Sequence, residues 1–134
     1  MLSVLRIRNL AVAKEVEVEF SAGLTVITGE TGAGKSVLLR GLSLLLGRRA
    51  NGEIVRSDAE KCEIEALFDI QNNILLKQEL AQIFGDAVDE NDSDELLIRR
   101  VVDKNGRSKI YVNNSLCTQA NLQRLASNLI EITS

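Results

Sequence analysis

Histidine, tryptophan and proline are absent from this 134-residue chain, and aromatic residues make up only 3% of it. The missing histidine excludes a Ser-His-Asp or Cys-His nucleophile system and any histidine-based metal site within the chain. Cysteine is scarce as well. Cys62 and Cys117 are far apart and form no C-x-x-C pair. Set among Ile, Leu and Val, they read as buried, reduced thiols, which suits a cytoplasmic protein. No apolar run approaches the roughly 18 residues of a membrane helix. Arg6 and Arg8 interrupt the first apolar stretch, so it makes a poor signal peptide. The expectation is a soluble protein with no membrane partner. A net charge of −3 leaves no overall basic field for nucleic acid, so any such contact would need a local patch.

What is present fits one ordinary domain: 45% hydrophobic and 26% charged residues, with no repeats and no interdomain linker. "LSVLRIRNL" (Leu2 to Leu10) reads as a strand. "VEVEF" (Val16 to Phe20) alternates with period two, as a half-exposed strand does. The continuous apolar run "LTVIT" (Leu24 to Thr28) reads as a strand buried on both faces, the parallel-sheet type. "KSVLLRGLSLLLG" (Lys35 to Gly47) reads as a helix with a narrow polar stripe at Ser36, Arg40 and Ser43, packed on most sides and stopped by Gly47. "CEIEALFDI" (Cys62 to Ile70) is a further strand. "NILLKQELAQIFG" sets Leu76, Leu80, Ile83 and Phe84 on one helical face, and Gly85 ends it. The acidic tract Asp86 to Glu95 reads as a solvated loop. "LLIRRVVDKNGRSKIYVNN" reads as a hairpin around Asn105-Gly106. A last helix from Gln119 to Ser127, capped by Thr118, is expected to lead into an apolar strand, "LIEIT".

One stretch carries chemistry. "GETGAGKS", Gly29 to Ser36, matches G-x-x-x-x-G-K-[ST], the Walker A P-loop, after a buried strand and before a helix. Glycines let the backbone turn tightly around a phosphate so that successive N–H groups point inward as a cationic nest. The helix beginning near Gly34 adds the partial positive charge of its N-terminus. Lys35 supplies a full charge for the β- and γ-phosphates, and the Ser36 hydroxyl suits Mg²⁺. The expected ligands are therefore ATP and Mg²⁺.

Two strands precede the one that feeds the loop, an arrangement of ABC- and SMC-type ATPase heads. "LRIRNLAV", "FSAGLTVITGETGAGKSVLLRGLSLLLGRRA" and "GRSKIYVNN" together resemble the N-terminal part of the RecN family, bacterial SMC-like DNA repair ATPases, and the resemblance runs along nearly the whole chain. It implies an α/β P-loop NTPase fold, the N-terminal portion of an ABC/SMC-type head, with an antiparallel β lobe beside the P-loop strand and helix. It implies that Gly29, Glu30, Thr31, Gly32, Ala33, Gly34, Lys35 and Ser36 bind ATP and magnesium. It also puts Arg8 and Asn9, from the first strand, near the nucleotide, and Arg49, after the P-loop helix, near the nucleotide or on the DNA-facing surface. The implied setting is cytoplasmic and nucleoid-associated, with DNA and a second head of a homodimer as partners. Arg99, Arg100, Lys104, Arg107 and Lys109 form the one strongly basic stretch, where phosphate contact is conceivable; solvated strand faces are the plainer reading.

The acids that complete such an ATPase are missing from the sequence. An Asp after four apolar residues, followed by Glu, would orient Mg²⁺ and the attacking water. Asp69 follows only three apolar residues and precedes no Glu, and "AVDE" lies in the polar tract. A signature loop, a glutamine loop and a long heptad run are absent too. The chain reads as the front portion of a longer ATPase, expected to bind nucleotide weakly and hydrolyse it negligibly. A small P-loop kinase and a non-catalytic head module are the other readings.

Overall fold

A computed structural model describes residues 2–11, 13–21, 24–29, 34–85 and 94–133; for residues 21, 24–29, 34–35 and 130–133 the backbone alone is described. Seven strands run in chain order as β1 (Leu2–Leu10), β2 (Ala13–Ser21), β3 (Leu24–Gly29), β4 (Lys61–Asp69), β5 (Glu95–Asp103), β6 (Ser108–Val112) and β7 (Ser115–Cys117). Three helices are α1 (Gly34–Leu45), α2 (Ile74–Phe84) and α3 (Gln119–Thr133). The strands form one sheet in the order β3-β2-β1-β4-β5-β6-β7, and every pairing is antiparallel. β3 lies at an end of this sheet and pairs antiparallel with β2, which corrects the expected parallel type of pairing. A continuous apolar run does not by itself separate the two cases.

Period-two alternation divides the sheet into a core face and an outer face. On the core face Val18, Leu5, Ala66, Ile98 and Val112 form one buried row; Val16, Ile7, Ile64, Arg100 and Ile110 form the next. Outward point Glu17, Arg6, Glu65, Arg99 and Tyr111, which are also cross-strand neighbours. Arg6 bonds Glu17 at 2.8 Å and Glu65 at 3.4 Å. Arg99 reaches Glu63 at 3.2 Å and lies 5.1 Å from the centre of the Tyr111 ring. Opposite charges on adjacent strands stabilise the pairing at this half-exposed face.

The helices cover the core face. α1 touches β2, β1, β4 and β5. Val37, Leu44 and Leu45 are buried, whereas Ser36, Leu39 and Arg40 are exposed. The solvent stripe is therefore wider than the polar residues alone suggest, since Leu39 is 61% exposed. α2 and α3 pack together, burying Leu76 and Leu80 against the cluster that contains Leu122, Leu125 and Leu129. Asn73 caps α2 by accepting from the Leu76 N–H at 3.0 Å, and Thr118 caps α3 through the Asn121 N–H at 3.1 Å. "LIEIT" does not form the expected strand; it continues α3 to Thr133. The 3–4 spacing of buried Leu122, Leu125 and Leu129 carries the helical face past the expected end at Ser127.

The expected hairpin around Asn105-Gly106 joins β5 to β6. The Asn105-Gly106 turn needs positive φ only at Gly106 (82°), with Asp103 accepting from Asn105 and Arg107 N–H groups. The turn with two left-handed residues is instead Asn113-Asn114, at φ 48° and 70°, and it leads into the short strand β7. The acidic tract expected as a loop lies outside the described residues from 86 to 93.

Candidate functional site

β3 delivers the first glycine of the Walker A stretch and α1 takes up the last. Gly29 ends β3 opposite Val16 of β2, and Gly34 opens α1. Glu30, Thr31, Gly32 and Ala33 lie outside the described residues. The first turn of α1 holds no acidic residue, so no carboxylate there opposes the free N–H groups and positive dipole end. Ser36 is exposed in that turn. An exposed hydroxyl and an acid-free helix start fit a Mg²⁺-bound triphosphate. They are the donor types that such a ligand requires.

α1 is held in place at three points. Its 12 residues span about 18 Å, and it contacts four neighbouring strands, β2, β1, β4 and β5. In the middle, Gly41 lies against β1: a Cβ there would stand 2.5 Å from Ile7 Cδ1. At the C-terminal end, Gly47 adopts φ 102°; its N–H donates to Leu44 O and the Arg48 N–H to Ser43 O, a Schellman closure. The Gly47 carbonyl accepts from Gln119 Nε2 at 3.0 Å and Gln123 Nε2 at 2.9 Å of α3.

Arg100 supplies the third hold. Sequence reasoning grouped it with a surface patch, but the structure corrects this, because Arg100 is 1% exposed on the core face of β5. Its Nη1 donates to the carbonyls of Leu44 at 2.7 Å and Arg48 at 2.5 Å, and its Nε to Ser108 Oγ at 2.8 Å. Burial lowers its pKa. The signal that separates the two adjacent arginines is strand phase. Arg100 shares its face with Leu96, Ile98 and Val102, whereas Arg99 alternates onto the charged face.

The other expected site residues divide in two. Arg8 and Asn9 lie at the end of the sheet where β3 delivers Gly29: Arg8 opposes Glu15, and Glu15 precedes Val16, the partner of Gly29. Arg8 is exposed on the outer face, 4.0 Å from Glu15. Asn9 adopts φ 57°, and its carbonyl accepts from the Arg56 N–H at 2.8 Å. Arg49 is exposed beyond the C-terminal end of α1, about 20 Å along the helix from the loop end. Lys104, Arg107 and Lys109 are exposed on and beside the β5–β6 turn, where Lys104 Nζ donates to Ser57 O at 3.2 Å. Asp69, at the end of β4, accepts from the Gln71 N–H. Among the described residues no group of three or more acidic or cysteine side chains could hold a metal ion. No helix among them is long and apolar enough to cross a membrane.

Burial raises the Cys62 thiol to about 11 and also raises that of Cys117. Both are free, Cys62 fully buried and Cys117 half-buried.

Known proteins share this arrangement. The chain is 38% identical over 135 residues to the DNA repair protein RecN of Vibrio cholerae and 39% identical over 132 residues to that of Bacillus subtilis. Each alignment covers 98% of this chain but 23% and 22% of the relative, so the chain spans less than a quarter of their length. Among solved structures, an SMC ATPase studied for ATP-driven dimerization and DNA-stimulated activation superposes with a TM-score of 0.66. The two are 23% identical, and the match covers 95% of this chain and 78% of that one. The recombination mediator RecF superposes with a TM-score of 0.58 at 22% identity, over 91% of this chain and 29% of that one. These structures share the fold, and the RecN sequences align with this chain along almost its whole length. The profile of the RecF/RecN/SMC N terminal domain matches residues 1–133, and the chain belongs to that family.

Proposed function

We propose that this chain is the ATP-binding N-terminal segment of an SMC-like DNA repair ATPase of the RecN type, acting in recombinational repair of DNA double-strand breaks. The observation that carries the reading is the strand–glycine–helix junction. Gly29 closes β3, Gly34-Lys35-Ser36 opens α1, and the intervening sequence completes the Walker A pattern. The relatives' name supplies the repair context.

In this reading the backbone from Gly29 through Gly34 cradles the phosphates, with Glu30, Thr31, Gly32 and Ala33 contributing N–H groups. Lys35 neutralises the β- and γ-phosphates, and Ser36 holds Mg²⁺ through its hydroxyl. The metal supplies charge neutralisation on the phosphate oxygens. Arg8 and Asn9 approach the nucleotide from the end of β1. Arg49 serves the more distant, DNA-facing side. In the intact protein, contacts to the γ-phosphate favour pairing with a second head, and hydrolysis releases it. DNA contact falls to the exposed Lys104, Arg107 and Lys109 through phosphate neutralisation. The setting is cytoplasmic and nucleoid-associated.

The test is calorimetric titration of the chain with a non-hydrolysable ATP analogue and Mg²⁺, beside Lys35→Ala. Heat of binding that Lys35→Ala removes, with the fold unchanged by circular dichroism, is the expected result. No binding by the unsubstituted chain at millimolar analogue overturns the reading.

A further inference from the structure

Arg100 is the one charged side chain fully buried among the described residues. Burying a guanidinium is costly unless its charge and donors are met. Its hydrogen-bond acceptors here are neutral: two carbonyls at the C-terminal end of α1 and the Ser108 hydroxyl. The counter-charge is the negative dipole end of α1. Plain packing does not require this, since neighbouring positions on the same face carry Ile98 and Val102.

The placement suggests a use. Arg100 stands in the same cross-strand row as Ile7, Val16 and Gly29, so the residue that holds the C-terminal end of α1 and the first glycine of the Walker A stretch lie at opposite ends of one row. We infer that Arg100, seated by Ser108, is a positioning residue for nucleotide phosphate binding. By clamping the far end of α1 to β5, it sets where Gly34, Lys35 and Ser36 stand relative to Gly29. This inference rests on the nucleotide reading above. A lysine carries the charge but not the planar fork that spans two carbonyls and a hydroxyl. Without the clamp, α1 keeps its contact at Gly41 and the Gly47 bonds to α3 but loses its tie to β5, which shifts Gly34, Lys35 and Ser36 relative to the sheet. Phosphate binding depends steeply on such placement.

The experiment compares Arg100→Met, Arg100→Lys and Ser108→Ala with Leu76→Ala, a buried substitution in α2, which packs against α3. Melting temperature and affinity for the Mg²⁺–ATP analogue are measured for each. The expected result is about tenfold weaker binding for Arg100→Met and a smaller loss for Arg100→Lys and Ser108→Ala. Leu76→Ala should bind like the unsubstituted chain despite its lower melting temperature. If Arg100→Met does not fold, the other two variants carry the comparison. Clamp variants that bind as tightly as Leu76→Ala overturn the inference while leaving the nucleotide reading intact. An unsubstituted chain that binds no analogue removes that reading, and the clamp with it.

Discussion

Gly41 of α1 and Ile7 of β1 meet with no room for a side chain between them: a Cβ on Gly41 would lie 2.5 Å from Ile7 Cδ1 and 3.1 Å from Cγ1. The helix therefore meets Ile7 through bare backbone at the midpoint of α1, which opens with Gly34-Lys35-Ser36. Gly41→Ala gains helix propensity but overpacks this contact. The variant is expected to lose about 1–3 kcal/mol of stability by denaturant unfolding. Equal or greater stability would mean that Ile7 can move aside freely.

Gly47 tests a different kind of constraint. Its φ of 102° is unfavourable for any L side chain, and a Cβ would stand 2.5 Å from Gln123 Cγ. Gly47→Ala is expected to cost on the order of 1–3 kcal/mol through strain at the helix end. Differential scanning calorimetry reads the loss as a lower melting temperature.

Purified as it stands, the chain is expected to hydrolyse ATP negligibly. Asp69 is the nearest sequence match to a magnesium-orienting acid, yet no Glu follows it. A phosphate-release assay run with Lys35→Ala as the blank checks this. Robust turnover that the substitution abolishes would falsify the expectation.

Cys62 predicts an alkaline limit to stability. Its folded pKa of about 11 lies above the ordinary value of 9.0 because burial penalises the thiolate. A group that holds its proton more tightly when folded contributes stability fully below the unfolded pKa. That contribution fades as pH rises from 9 through 11, by roughly 2–3 kcal/mol at most. Denaturation midpoints measured from pH 8 to 11 should fall over that window, and Cys62→Ala should flatten the fall. A thiol reagent at neutral pH should label Cys117 before Cys62.

Much of this architecture is legible in the residues. The alternation of "VEVEF" and "CEIEALFDI", the capping Thr118 and the glycine at the end of α1 all act locally, so a short window contains the cause. What escaped depends on distant partners. β3 is mostly apolar, and only its antiparallel pairing with β2 places it at the end of this sheet. The end of α3 has strand-like composition, yet the helical spacing of its leucines prevails. Arg100 and Arg99 are chemically identical neighbours, and one step of strand phase sends the first to the helix end and the second to Glu63 and Tyr111.

The alternating rows of the sheet also bear on how the chain reaches its fold. Sliding β1 by one position against β2 and β4 would drive Arg6 and Arg8 into the apolar interior and leave Leu5 and Ile7 in water. It would also separate Arg6 from Glu17 and Glu65. Misaligned pairings are thus penalised on both sides of the sheet at once. The folding chain has little reason to linger in a shifted alignment.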